Sequence, residues 1–95
     1  MNIFDLKSRN YIVTGGAGFL GLQHSIGILQ NNGNPILIDI SDSLLDKTKK
    51  NLEDNFQKKI LTFNCNICSE NDVKNVCHLI EKKGLKIHGL INNAA

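Results

Sequence analysis

Tyr11-Ile12-Val13-Thr14-Gly15-Gly16-Ala17-Gly18-Phe19-Leu20-Gly21 is the stretch on which the reading of this chain turns. It reads as an apolar strand running into a glycine-rich turn that opens a helix, the arrangement that holds a dinucleotide pyrophosphate. A phosphate approaches a backbone closely only where side chains are missing, so the turn needs glycine at several positions. The free N–H groups of the first helical turn, near Phe19 and Leu20, then point at the pyrophosphate. Gly21 lets the helix press against the strands. Two registers fit: Gly16, Gly18 and Gly21 match G-x-G-x-x-G, while Gly15, Gly18 and Gly21 match T-G-x-x-G-x-x-G from Thr14. A plain tight turn would not need so many glycines.

Outward from that stretch, strands and helices alternate. Asn10 to Thr14 is the first strand, and Phe19 to about Asn31 carries Leu22, Ile26 and Leu29 at helical spacing. Asn32-Gly33-Asn34 ends that helix, and Pro35 begins a second strand, Ile36-Leu37-Ile38-Asp39-Ile40. Its unbroken apolar run suits a strand buried on both faces of a parallel sheet. Ser41 or Asp42 caps a second helix with Leu44, Leu45, Thr48 and Leu52 on its inner side. Ile60 to Asn64 is a third strand. Ser69-Glu70-Asn71-Asp72 is a capping signal for a third helix, striped by Val73, Val76, Cys77 and Ile80 and closed by Gly84. A fourth strand runs from about His88 to Asn92.

That β-α-β-α-β-α-β order predicts an α/β fold, a Rossmann-type doubly wound parallel sheet with strand order 3-2-1-4 and right-handed crossovers. The first two helices then cover one face and the third the other. The glycine turn and Asn92-Asn93-Ala94-Ala95 meet where the strand order reverses, the crevice in which such sheets bind ligands. Asp39 ends the second strand roughly 20 residues past the glycines, where the acid that takes the adenosine ribose hydroxyls belongs. Its charge would repel a 2′-phosphate by on the order of 1–4 kcal/mol. No arginine or lysine follows it; Ile40 and Ser41 do. These residues favour NAD over NADP. A capping role for Asp39 ahead of the second helix is the alternative.

Composition narrows the classes. A chain of 95 residues with 41% apolar and 21% charged residues is one ordinary globular domain. The net charge is +2 and its lysines are scattered, with no basic stripe interleaved with aromatics, which argues against nucleic acid. No apolar run approaches the roughly 20 residues of a membrane span, and the N-terminus lacks a signal-peptide core. The expectation is a cytoplasmic protein. Cys65 and Cys68 form a C-x-x-C, but a structural zinc wants four ligands, and His78 beside Cys77 is poorly placed for the fourth. The three cysteines read as small buried or half-buried thiols, and no metal is assigned.

With those residues in hand, the chain resembles the short-chain dehydrogenase/reductase family. The likeness rests on Thr14-Gly15-Gly16-Ala17-Gly18-Phe19-Leu20-Gly21, Asp39 and Asn92-Asn93-Ala94-Ala95, and it covers nearly the whole chain. It implies that residues 1–95 are the N-terminal part of a single NAD-binding domain, incomplete by itself. It places Asn66 and Ile67 at the adenine ring, where the family has an aspartate and an aliphatic residue. Asn93 and Ala94 fall on the motif N-N-A-G that lines the cofactor. The cofactor-binding residues so implied are Thr14, Gly15, Gly16, Gly18, Phe19, Leu20, Gly21, Asp39, Ile40, Asn66, Ile67, Asn93 and Ala94. Classical members carry glycine where this chain has Phe19. The spacing with Gly18 resembles the extended members, many of them sugar-nucleotide epimerases and dehydratases, while the N-N-A-A ending resembles the classical reductases.

The family's catalytic pair is a tyrosine with a lysine four residues on. The sole tyrosine, Tyr11, is followed at that distance by Gly15, and His24, His78 and His88 are scattered, so no residue here is catalytic. The favoured reading is the NAD(H)-binding portion of an oxidoreductase that moves hydride between NAD and an alcohol or carbonyl. A small-molecule substrate and a homo-oligomer are expected of a full-length form. The alternatives are an extended-type epimerase or dehydratase, and a non-catalytic dinucleotide-binding fragment. A methyltransferase is disfavoured by Thr14, which stands where that class has an acid.

Overall fold

The computed structural model describes residues 5–93; Ala94 and Ala95 of the expected crevice lie outside them. Seven elements follow in order: β1 (Asn10–Thr14), α1 (Phe19–Gln30), β2 (Asn34–Asp39), α2 (Asp42–Phe56), β3 (Leu61–Asn64), α3 (Glu70–Lys82) and β4 (Ile87–Asn92). The strands form one parallel sheet in the order β3-β2-β1-β4. The sheet order reverses between β1 and β4, and both strands end at the same edge, with Thr14 opposite Asn92.

Alternate residues of a strand face opposite sides, and the core divides accordingly. Val13 and Leu37 face α1 and α2, where Ile28, Leu29, Leu45 and Leu52 close over them. Ile12 and Ile38 face α3, which presses Val76 and Ile80 against Cys65. β2 is covered on both sides, which is why its apolar run does not alternate.

Local signals end the helices. Ser41 and Ser69 cap α2 and α3, accepting from the N–H groups of Leu44 and Asp72 at 3.3 Å. After α1, Asn32 takes the left-handed conformation and Gly33 N–H donates back to Ile28 O at 2.8 Å. Gly84, at φ +70°, closes α3 in the same way.

Four expectations need correction. Leu44 is 47% exposed, because Leu45, Thr48 and Leu52 form the buried line of α2 and Leu44 falls on its flank. Cys68 and Cys77 are exposed, and only Cys65 among the three thiols is buried. Cys77 and Val73 lie to one side of the strip that Val76 and Ile80 bury, and Val73 is exposed too. Ile40 is outside β2, exposed in the turn that follows.

One irregularity was not foreseen. Asn10 pairs with Ile87 but Tyr11 pairs with Gly89, so His88 is an extra residue bulged out of β4. Its Nδ1 accepts the Asn10 backbone N–H at 3.0 Å, and the Asn10 side chain donates to Lys86 O at 2.8 Å. The bulge turns Ile87 towards α3, while Ile91 packs with the core on the other face. Tyr11 lies against Gly89, where an added Cβ would stand 2.7 Å from its ring. The sole tyrosine is therefore a packing residue.

Candidate functional site

The glycine turn is shaped by what it touches. Gly15 sits at φ +62°, a conformation that favours glycine. A Cβ on Gly21 would lie 2.3 Å from Gly15 O, so α1 starts with its backbone directly on the turn. Gly16 N–H donates to Ile38 O at 3.1 Å, and Gly18 N–H returns to Gly15 O at 3.0 Å. Leu22 makes the first α-helical bond, to Gly18 O, which leaves the N–H groups of Phe19, Leu20 and Gly21 without an acceptor among the described residues. No acidic side chain stands in that first turn to satisfy them. Such an uncapped helix start, floored by glycine, suits an anionic phosphate. Phe19 and Leu20 project outward beside it, both largely exposed.

Asp39 faces this turn across the sheet edge. Its Oδ2 accepts the Ala17 N–H at 3.1 Å and its Oδ1 accepts the Ser41 N–H at 3.2 Å. Ser41, not Asp39, caps α2, which removes the capping alternative. Asp39 belongs to the wall of a cavity of about 220 Å³ lined by residues of the glycine turn, β2 and the β3–α3 loop. Gly15, Ile40, Asn66 and Ile67 share that wall, so the structure brings together residues expected from three separate segments.

The β3–α3 loop is built by local hydrogen bonds. Asn66 Oδ1 accepts the Cys68 N–H at 3.0 Å, and Ser69 N–H donates to Asn66 O at 2.9 Å. Asp72 does not complete a capping box; its Oδ2 accepts the Asn66 N–H at 3.1 Å and so holds the loop from α3. Asn66 Oδ1 accepts one bond inside the loop, which leaves the amide donors and one lone pair of that oxygen unused.

On the other side of the turn, Thr14 joins β1 to the end of β4. Its hydroxyl donates to Asn92 Oδ1 at 2.8 Å and accepts the Asn93 N–H at 3.2 Å. Asn93 Nδ2 is buried without a partner among the described residues, a donor at the switch point still to be satisfied. Ala94 lies outside the described residues.

The sequence reading missed Ile38, Cys65 and Cys68 as cavity-lining residues and Ala17 as the partner of Asp39. Ala17 was legible in principle, since it lies inside the decisive stretch. Cys65 and Cys68 flank Asn66 and Ile67 and were read only as thiols. Burial pushes the Cys65 thiol above its ordinary range, with the charges of Asp72 and Cys77 adding to the effect.

Comparison with known proteins agrees with this geometry. A family model described as short chain dehydrogenase matches residues 9–95. The post-translational flagellin modification protein A of Campylobacter coli is 32% identical over 89 residues, 94% of this chain and 35% of that protein. The structure of NAD+-bound xylitol dehydrogenase superposes with a TM-score of 0.84 at 24% identity, covering 95% of this chain and 34% of that one. The NADPH-dependent 3-quinuclidinone reductase of Rhodotorula rubra gives 0.81 at 22% identity, covering 93% and 33%. The chain belongs to the short chain dehydrogenase family of oxidoreductases, and it spans about a third of the length of the curated relatives it matches. The matches do not favour the epimerase or dehydratase alternative. Both kinds of nicotinamide dinucleotide occur among the structural neighbours. No helix among the described residues is long and apolar enough to cross a membrane.

Proposed function

We propose that this chain binds NAD(H) in the crevice between the glycine turn and the ends of β2 and β3, as the cofactor-binding part of an alcohol/carbonyl oxidoreductase. The observation that carries the reading is the setting of Asp39. Its two oxygens are each held by one backbone N–H at the rim of the cavity, and each keeps lone-pair capacity for a ribose hydroxyl. The N–H groups of Phe19, Leu20 and Gly21 would hold the pyrophosphate, with Gly15, Gly16 and Gly18 giving it room. Asn66 and Ile67 would take the adenine, Ile40 would border the ribose, and Thr14, Asn93 and Ala94 would line the far side. The carboxylate of Asp39 disfavours a 2′-phosphate, and neither Ile40 nor Ser41 offers a compensating cation, which supports NAD over NADP.

When bound, the dinucleotide supplies hydride transfer. This chain's residues bind and orient it, and none is assigned a proton in the reaction. A full-length form would draw its tyrosine and lysine, its small-molecule substrate pocket and its homo-oligomer contacts from residues beyond this span, in the cytoplasm. Titrating NADH and NADPH against the protein and its Asp39→Ala variant tests the reading. Loss of NADH preference in the variant is expected; an unchanged NADH/NADPH affinity ratio overturns it.

A further inference from the structure

Asn64, the last residue of β3, lines no part of the cavity, yet its amide is committed to the loop that carries the ribose acid. Its Nδ2 donates to Ile40 O at 3.0 Å and to Asp42 Oδ1 at 2.9 Å. The Ile40 carbonyl and the Ser41 N–H belong to one planar peptide unit, so fixing one fixes the other. That Ser41 N–H is the group that holds Asp39 Oδ1 at 3.2 Å, and the opposite oxygen is held by Ala17 of the glycine turn at 3.1 Å. Three hydrogen bonds thus run in series from β3 through one peptide plane and one carboxylate to the pyrophosphate turn.

We propose that Asn64 is a positioning residue for cofactor choice: it orients the Asp39 carboxylate through the Ile40–Ser41 peptide and so helps set the preference for a free 2′-hydroxyl. The inference rests on the reading of Asp39 as the ribose acid. Cys65 N–H on Asp39 O and Leu45 N–H on Ser41 O hold the flanks of this segment. Among the described bonds only Asn64 holds the Ile40 carbonyl, so without its amide the plane that aims the Ser41 N–H at Asp39 Oδ1 is less tightly fixed. The effect falls on the ribose end of the cofactor, because the N–H groups of Phe19, Leu20 and Gly21 are not part of the series.

The test uses Asn64→Leu, which keeps the shape without the donor, and Asn64→Ala, which removes the donor and adds no charge. NADH and NADPH dissociation constants are measured by nucleotide fluorescence on the full-length protein, with Asp39→Ala alongside. Each Asn64 variant is expected to lower the NADH/NADPH preference about threefold to tenfold, the range one hydrogen bond commands. In the cofactor-free protein the Ser41 and Ala17 amide resonances should shift. A purely structural role would weaken both nucleotides equally and leave the ratio as it was. If Asp39→Ala changes the ratio and both Asn64 variants leave it unchanged, the relay is wrong while the ribose reading stands. If Asp39→Ala leaves it unchanged, both fall. Should Asn64→Leu fail to fold, Asn64→Ala decides alone.

Discussion

The backbone N–H of Ala17 stands 3.1 Å from Oδ2 of Asp39, which ties the glycine turn after β1 to the last residue of β2. A charged acceptor holding a backbone donor is worth about 1.5–3 kcal/mol, and Asp39 accepts two such bonds in a half-buried setting. Solvent access lowers the figure. Asp39→Asn should therefore cost about 1 kcal/mol or more of stability without any cofactor present, read by urea denaturation. A variant as stable as the parent would show that the two contacts do not hold in solution.

Two glycines of α1 should respond in opposite senses to the same substitution. Gly21→Ala places a methyl 2.3 Å from a backbone oxygen that has no room to retreat, whereas Gly27→Ala meets nothing within 4 Å. Gly27→Ala should stabilise the chain by about 0.5–1 kcal/mol, the usual gain for a helix interior. Gly21→Ala should lower the melting temperature and abolish nucleotide binding. Thermal melts followed by circular dichroism separate the two; equal effects would contradict the close approach at Gly21.

The bulge in β4 makes a third prediction. His88 Nδ1 accepts the N–H of Asn10, a bond across 78 residues of sequence. His88→Ala should cost about 1 kcal/mol in denaturant unfolding, and His88→Asn, which restores an acceptor, should recover part of it. Identical losses in the two variants would rule out the bond.

The thiols differ by environment. Cys68 and Cys77 should react with a thiol reagent in the native protein, and buried Cys65 only on unfolding. Because burial chiefly raises the folded-state value of Cys65, the contribution is fully present below the unfolded thiol range. Above that range the unfolded chain loses its proton first, so stability should fall as pH rises through the folded value. Cys65→Ala should flatten that alkaline decline. Three thiols reacting at one rate in the native state would contradict the burial.

β4 is an edge strand of the described sheet, and Leu90 is 63% exposed on the face that α3 leaves open. Such an edge invites association. The 95-residue chain by itself should self-associate in sedimentation, and Leu90→Lys should reduce it. A monodisperse parent that unfolds cooperatively would sink this expectation.

The fold was legible because its signals are local. The run Ile36 to Ile38 marks a strand covered on both faces, Ser41 and Ser69 mark helix starts, and the glycines between Thr14 and Gly21 mark the turn that fixes the switch point. Two of the four corrections, Leu44 on α2 and the pair Val73 and Cys77 on α3, fall on helix flanks, where spacing of three and four residues does not tell the buried line from its neighbour. The supporting bonds of the site were not legible. Asn64 and Asp72 act on backbone groups that sequence alone does not bring near them, as His88 does at the opposite edge of the sheet, and Asp72 carried a capping signal that the structure spends on Asn66 instead.

The most direct measurement is a pair of binding titrations, NADH and NADPH, against the unmodified protein at the same ionic strength. The account predicts saturable binding of both, with NADH at least about tenfold tighter, as one charge repulsion of 1.4 kcal/mol would give. NADPH binding as tightly as NADH, or neither nucleotide binding, would contradict it.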